Sequence, residues 1–318
     1  MLKYLKNKKV TVLGAGTSGI AVALLLKRKG VKVFISEQQP ERKKYKEKKI
    51  VGKKGIPFEF GGHSEQIYET DVLVVSPGIA LNDIRVKKAR ERGISVYGEL
   101  EVAFWYCQAP VIAVTGSNGK STTTELIGDI FKQAGRKHEV AGNIGRPFAE
   151  IADSITKEST AIIEVSSFQL ETIKSFHPRV AIFLNLTPDH LDRHISLPEY
   201  GKLKARIFEN QTEGDYLIYN GQDSYVSKLV KKSKSQNIVF NKKQSSNPCG
   251  YIDKEKLIFN IKGETKELID LKALYLKGKH NAGNALAAAL SARVMDIEWK
   301  PIRQSLETFK GLLIEWNL

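Results

Sequence analysis

The chain has 318 residues, 42% of them hydrophobic, and a formal net charge of +15. That length supports about two domains with separate cores, and the apolar content excludes a disordered or fibrous chain. The charge is concentrated in lysine-dense runs such as Glu41–Lys49 and Lys231–Lys234, which lack the repeated aromatics of a base-stacking platform, so no nucleic-acid partner is expected.

In chain order, the basic start Met1–Lys9 has no apolar core of signal-peptide length. Lys9–Leu13 reads as a strand, Ser18–Lys29 as a helix and Val31–Ile35 as a second strand. Val72–Val75 (strand), Asp83–Arg92 (helix) and Ser95–Tyr97 (strand) continue the alternation, which predicts a parallel sheet wrapped by helices. A boundary falls near Gln108-Ala-Pro110, and Val111–Thr115 then forms a short β-branched strand. The helix after it buries Leu126, Ile127, Ile130, Phe131 and Ala134 on one stripe. Ala161–Val165 and Val180–Leu184 are buried-type strands, Glu199–Glu209 and Asn281–Val294 helices, and Tyr251–Asn260 a hairpin. The fold class is therefore α/β: an N-terminal Rossmann-like parallel-sheet domain, then a P-loop ATPase domain with a mainly parallel sheet and a small antiparallel piece. Cys107 and Cys249 lie far apart in no disulfide or metal pattern, and no segment reaches the ~20 apolar residues of a membrane span. A cytoplasmic protein with no membrane partner is expected.

Two glycine turns stand out. Gly14-Ala-Gly16-Thr17-Ser18-Gly19 follows the first strand and opens a helix, and Glu37 ends the second strand. Taken alone this is a dinucleotide fingerprint and proposes a nicotinamide or flavin oxidoreductase. A second nucleotide loop downstream favours instead a different diphosphate, such as a nucleotide-sugar. That second loop is Thr115-Gly116-Ser117-Asn118-Gly119-Lys120-Ser121-Thr122, with Val114 where a phosphate loop usually has its first glycine. Its N–H groups and helix N-terminus suit phosphate oxygens, Lys120 the terminal phosphates and Ser121 a magnesium ion. Glu164 ends an apolar strand, where a carboxylate can hold magnesium. His190 follows another strand, and Lys204, on spacing alone, reads as a surface lysine.

The order of these segments resembles the Mur ligases, ATP-dependent amide-forming enzymes of peptidoglycan precursor synthesis. Thr115–Thr122 looks like the family's ATP loop. Ser76-Pro-Gly-Ile-Ala-Leu81, Gly142-Asn-Ile-Gly145, Glu164-Val-Ser-Ser-Phe-Gln-Leu-Glu171 and Thr187-Pro-Asp-His-Leu-Asp-Arg193 look like its D-glutamate-adding branch. The resemblance implies UDP-N-acetylmuramoyl-L-alanine, ATP and D-glutamate as substrates, joined through an acyl phosphate. It implies that Gly14–Gly19 hold the UDP end, that Ser76, Asn143 and His190 position the muramoyl part, and that Asn281 and Asn284, near His280, approach the adenine. It further implies two Mg2+ sites, one on Ser121 and Glu164, the other on His190 and Lys204, with Lys204 carbamylated and Lys202 the less suited neighbour. A monomer is favoured.

By the same resemblance, domains are expected at 1–108 and 109–311, with a third, amino-acid-binding domain to follow. In the family the Phe309-Lys-Gly-Leu312 segment continues Pro-His-Arg, whereas here it continues Leu313-Ile-Glu-Trp-Asn-Leu318. A single-base frameshift before Leu313 is compatible with that difference. The expectation is that 312–318 is an aberrant tail, that the D-glutamate site is missing and that ligation is weak or absent. The alternative function is a non-catalytic UDP-sugar and ATP-binding fragment.

Overall fold

The structure, a computed structural model, describes residues 5–188, 196–243 and 248–311. Its first elements are β1 (Lys9–Leu13), α1 (Thr17–Arg28), β2 (Lys32–Glu37), α2 (Tyr45–Lys53), β3 (Phe58–Phe60), β4 (Val72–Val75), α3 (Ile84–Glu91), β5 (Ser95–Gly98) and α4 (Glu99–Tyr106). There follow β6 (Val111–Thr115), α5 (Lys120–Gln133), β7 (His138–Gly142), α6 (Phe148–Ile151), β8 (Thr160–Glu164), α7 (Ser167–Leu170), β9 (Val180–Phe183) and α8 (Leu197–Ala205). The last are β10 (Tyr216–Asn220), α9 (Ser224–Leu229), β11 (Gln236–Phe240), β12 (Cys249–Asp253), β13 (Lys256–Ile261), β14 (Glu264–Asp270), α10 (Lys279–Val294) and α11 (Trp299–Thr308).

The chain divides into two compact units. The first comprises Met1–Gln108 with two later segments, Gly145–Ser154 and Phe168–Phe176; the second holds the rest. In the first unit a parallel sheet runs β3-β2-β1-β4-β5, with Leu13 opposite both Ser36 and Val75. All four residues of β4 are buried, as expected for a parallel strand covered on both faces. Leu13, Leu73, Val75, Val86 and Ile94 share one cluster of its core.

The two later segments join the first unit through polar anchors. Arg28 Nη2 meets Asp153 Oδ1 at 2.8 Å. Buried Glu101 accepts the backbone N–H groups of Lys174, Ser175 and Phe176 at 2.9, 2.8 and 2.9 Å. A linear boundary at residue 108 leaves such excursions out, because nothing local marks them.

In the second unit the sheet runs β14-β13-β12-β11-β10-β9-β6-β8-β7, parallel from β7 to β12 and antiparallel at β13 and β14. β6 lies between β8 and β9, so its C-terminal end opens at a switch in strand order, where such sheets bind ligands. The hairpin expected at Tyr251–Asn260 is present as β12 and β13, and β14 extends it. The helix expected at Glu199–Glu209 ends at Ala205 and tightens into a 3-10 turn over Arg206–Phe208. Helix α10 is buried from Ala282 to Ala292 on every side, and its alanines let it lie close against α5.

Candidate functional site

In the first unit the glycine turn divides its labour as a diphosphate turn should. Gly14 has φ +99°, and a Cβ there would fall 2.8 Å from Ser76 Oγ. A Cβ on Gly19 would fall 2.1 Å from the Gly14 carbonyl oxygen, so this glycine permits helix α1 to start tightly against the turn. Gly16 is different: a Cβ there meets nothing within 4 Å, and φ −73° suits any residue. Among the described residues no neighbour requires that glycine; a closely approaching ligand would.

Glu37, the acid of the dinucleotide fingerprint, is buried. Its Oε2 accepts Ala15 N–H at 2.7 Å and its Oε1 accepts Gln39 N–H at 2.8 Å. Both oxygens brace the backbone of the turn, which is a structural duty rather than the free ribose-binding one of an NAD enzyme. Nearby, Ser36 Oγ lies 2.6 Å from Glu59 Oε1 and 2.6 Å from His63 Nδ1. Burial first, and then the Arg85 cation, hold the His63 pKa below its ordinary value. Ser76 Oγ donates within reach of the Gly14 carbonyl at 3.3 Å and of Glu99 Oε1 at 2.7 Å. Thr17 is exposed and Ser18 half-buried at the start of α1.

In the second unit the loop between β6 and α5 is stapled to the segment after β9. Ser117 N–H donates to Asn185 O at 3.1 Å, and Asn118 N–H to Asn185 Oδ1 at 2.9 Å. Ser117 Oγ donates to Thr187 O at 2.9 Å. Val114 stands in the first-glycine position because it is still inside β6, fully buried and paired with Glu164. The chain leaves the strand two residues later, at Gly116. Gly119 has φ +83°, and a Cβ there would lie 2.5 Å from Asn284 Oδ1.

Lys120 Nζ bends over the loop and donates to the Gly116 and Ser117 carbonyls at 3.1 and 2.9 Å. Ser121 Oγ donates to Glu164 Oε2 at 2.6 Å, while Asn143 Nδ2 reaches Glu164 Oε1 at 3.2 Å. A cleft of about 720 Å³ opens beside this loop, lined in part by Asn118, Gly119, Thr122, His280, Asn281 and Asn284. The structure therefore gathers Ser121, Asn143 and Glu164 at the C-terminal ends of β6, β7 and β8, with Lys120 on the same loop and Asn281 and Asn284 lining the cleft beside it.

Lys204 corrects the reading from spacing. It is 1% exposed, its Nζ donates to the Gly116 carbonyl at 2.8 Å, and it lies 4.4 Å from the centre of the Tyr200 ring. Lys202, two residues away on α8, is exposed. His190 lies outside the described residues, as do residues 312–318.

Comparison with known proteins matches residues 114–292 to the Mur ligase middle domain and residues 8–98 to the Mur ligase MurD-like N-terminal domain. The UDP-N-acetylmuramoylalanine--D-glutamate ligase of Koribacter versatilis is 38% identical over 308 residues, spanning 96% of this chain and 68% of that one. The chain belongs to the Mur ligase family. The enzyme of the same name from Pelotomaculum thermopropionicum is 39% identical over 313 residues, 98% of this chain and 69% of its own. Among solved Mur ligases, the UDP-N-acetylmuramate:L-alanyl-gamma-D-glutamyl-meso-diaminopimelate ligase from Neisseria meningitides superposes with a TM-score of 0.65 at 18% identity, covering 96% of this chain and 99% of that one. MurC from Thermotoga maritima gives 0.56 at 22%, over 96% and 69%. At these identities the two structures establish the shared fold alone.

The oxygen donors at Glu164 fit a family magnesium ion. A hydroxyl and a carboxylate are hard ligands, and Mg2+ fills its remaining positions with phosphate oxygens and water. Among the described residues no group of three or more His, Cys, Asp or Glu gathers. Sequence reasoning gave no role to the loop-stapling Asn185 or to Thr187, quoted only as the start of a motif, and passed over Glu99 and Glu101. The run Gly98-Glu-Leu-Glu101 after a strand was a helix-start signal that could have drawn attention to the two acids.

Proposed function

We propose that this chain serves the ATP-dependent addition of D-glutamate to UDP-N-acetylmuramoyl-L-alanine, a step of peptidoglycan precursor synthesis. The observation that carries this reading is the second unit's constellation. A left-handed Gly119 lines a cleft of nucleoside size together with Asn118 and Thr122, and the same loop and helix start carry Lys120 and the Ser121–Glu164 pair at 2.6 Å. The resemblance of the Koribacter and Pelotomaculum enzymes over nearly the whole chain supports the substrate assignment.

In this reading Thr115–Thr122 cradle the ATP phosphates with backbone N–H groups, and Lys120 swings from its carbonyl partners to the terminal phosphate. Asn281 and Asn284 take the adenosine end in the cleft. The first unit holds the UDP diphosphate at Gly14–Gly19, and Ser76, Asn143 and His190 position the muramoyl part. The L-alanyl carboxylate attacks the γ-phosphorus, the bond to the β-phosphate oxygen breaks, and ADP leaves. The amine of D-glutamate then attacks the acyl phosphate carbonyl, loses a proton, and phosphate departs as the amide forms. In such a reaction the protein contributes mainly alignment and charge neutralisation.

Ser121 and Glu164 would hold one magnesium ion, and His190 with a carbamylated Lys204 a second; bound magnesium supplies positive charge against the transferring phosphoryl group. Carbamylation turns the buried Lys204 amine into an oxygen ligand, releasing one proton as CO2 adds. The protein is expected to work as a cytoplasmic monomer. Incubation with UDP-N-acetylmuramoyl-L-alanine, ATP, Mg2+ and labelled D-glutamate tests the proposal by product formation alongside the binding of each nucleotide. Binding of both without product reduces the reading to a UDP-sugar and ATP binder; binding of neither overturns it.

A further inference from the structure

Glu99 is the first residue of α4 and is 4% exposed. Its Oε1 faces Ser76 Oγ at 2.7 Å, while its Oε2 is sealed from solvent and has no hydrogen-bond partner among the described residues. The Ser76 hydroxyl has a single proton and two acceptors, Glu99 Oε1 and the Gly14 carbonyl at 3.3 Å. An ionised Glu99 takes that proton and leaves the Gly14 carbonyl without it. A neutral Glu99 with its proton on Oε1 donates to Ser76 Oγ, and Ser76 then donates to Gly14. Only the second arrangement satisfies both the hydroxyl and the carbonyl of the glycine turn.

We infer that Glu99 is a positioning residue for the diphosphate of the first unit: as a neutral acid it orients Ser76 toward the turn and keeps negative charge from beneath the ligand's phosphates. This rests on the reading of Gly14–Gly19 as a UDP-sugar site. Burial pushes the Glu99 carboxyl up to about 8, against the smaller downward pull of the Ser76 hydroxyl and of the nearby Ser18 hydroxyl, which among the described residues makes no hydrogen bond to either oxygen. The elements packed on α4 include α1, α6, β4 and β5. Their charged residues are Lys27 and Arg28 in the last turn of α1 and Glu150 on α6, the 171–176 segment against α4 adds Glu171 and Lys174, and none of these is among the groups acting on Glu99. On α4 itself Glu101 is occupied by the 174–176 backbone. Among the described residues no cation therefore acts to offset a negative Glu99.

The test is the affinity of UDP-N-acetylmuramoyl-L-alanine, by calorimetry, between pH 6.5 and 9.0. If only the neutral acid supports binding, affinity falls about tenfold from pH 7 to pH 9. Glu99→Gln, neutral and of equal size, is expected to bind within about threefold of the parent at pH 7 and to lose the pH dependence. Titration of the uracil is common to both proteins and drops out of their difference. A flat parent profile, or an unchanged slope in the variant, overturns the inference and leaves the site reading intact; no binding at any pH overturns both. The infrared carbonyl band of a protonated carboxyl gives a second measure on the parent protein alone. That band should be present at pH 7 and disappear as the pH passes 8, and its absence at pH 7 refutes the assignment.

Discussion

Lys120 and the three glycines of the first turn show how much one side chain can carry. Lys120 Nζ is held by two carbonyls of its own loop, so its removal costs the fold little and the phosphate contact everything. Lys120→Ala is expected to abolish ATP-dependent acyl-phosphate formation while UDP-substrate binding survives, as read by phosphate release and calorimetry. The glycines separate packing from ligand access. Gly19→Ala forces a Cβ onto the Gly14 carbonyl and should destabilise the protein by about 3 kcal/mol. Gly16→Ala meets open space and should cost no more than about 1 kcal/mol, while weakening diphosphate binding roughly tenfold. Urea unfolding with substrate titration separates the two; equal damage to stability from both variants would remove the argument for a ligand above Gly16.

At the scale of elements, the segment after α7 depends on one buried carboxylate. Besides the three N–H groups of 174–176, Glu101 accepts the Trp105 indole N–H at 2.9 Å. Close approach is enforced at the same place, since a Cβ on Gly98 would lie 1.9 Å from Thr172 Oγ1. Glu101→Ala removes the acceptor of three neighbouring N–H groups, that of Phe176 buried and those of Lys174 and Ser175 partly so, and is expected to cost about 2–3 kcal/mol. Faster hydrogen exchange confined first to 172–176 would report it; unchanged protection there would show that apolar packing suffices to hold the segment. The loop after β6 follows a similar logic, its shape fixed by Asn185 and Thr187 from the end of a neighbouring strand.

For the whole molecule, two carboxyls give stability opposite pH dependences. Asp215 is held below the usual carboxylate value: burial works to raise it, but bonds from His177 and Thr212 outweigh that. Its contribution is complete above the unfolded value near 3.8 and is lost as pH falls through the lower folded value. The stability gap between the parent and Asp215→Asn should therefore shrink as pH falls below about 4. Glu99, raised from 4.5 to about 8, does the reverse: its favourable share is complete below 4.5 and is lost as pH rises to 8. Glu99→Gln should accordingly gain on the parent by roughly 1 kcal/mol per unit across that window. Denaturation midpoints of the three proteins against pH check both signs.

Local pattern settled a definite part of this protein. Apolar runs ending in glycine turns located β1, β6 and the two phosphate-type loops, because backbone geometry at such turns admits few residues. The same patterns placed Ser121 and Glu164 at the ends of their elements and gave an α/β fold with a short antiparallel addition, whereas Asn281 and Asn284 came from the family resemblance. Tertiary structure alone decided the rest. It buried Lys204 against Gly116 while leaving Lys202 in water, set Asn284 against Gly119, brought 145–154 and 168–176 onto the first unit, and sealed Glu99 under Ser76. Burial and proton placement are sums over neighbours distant in the chain, and no stretch of sequence read by itself contains those sums.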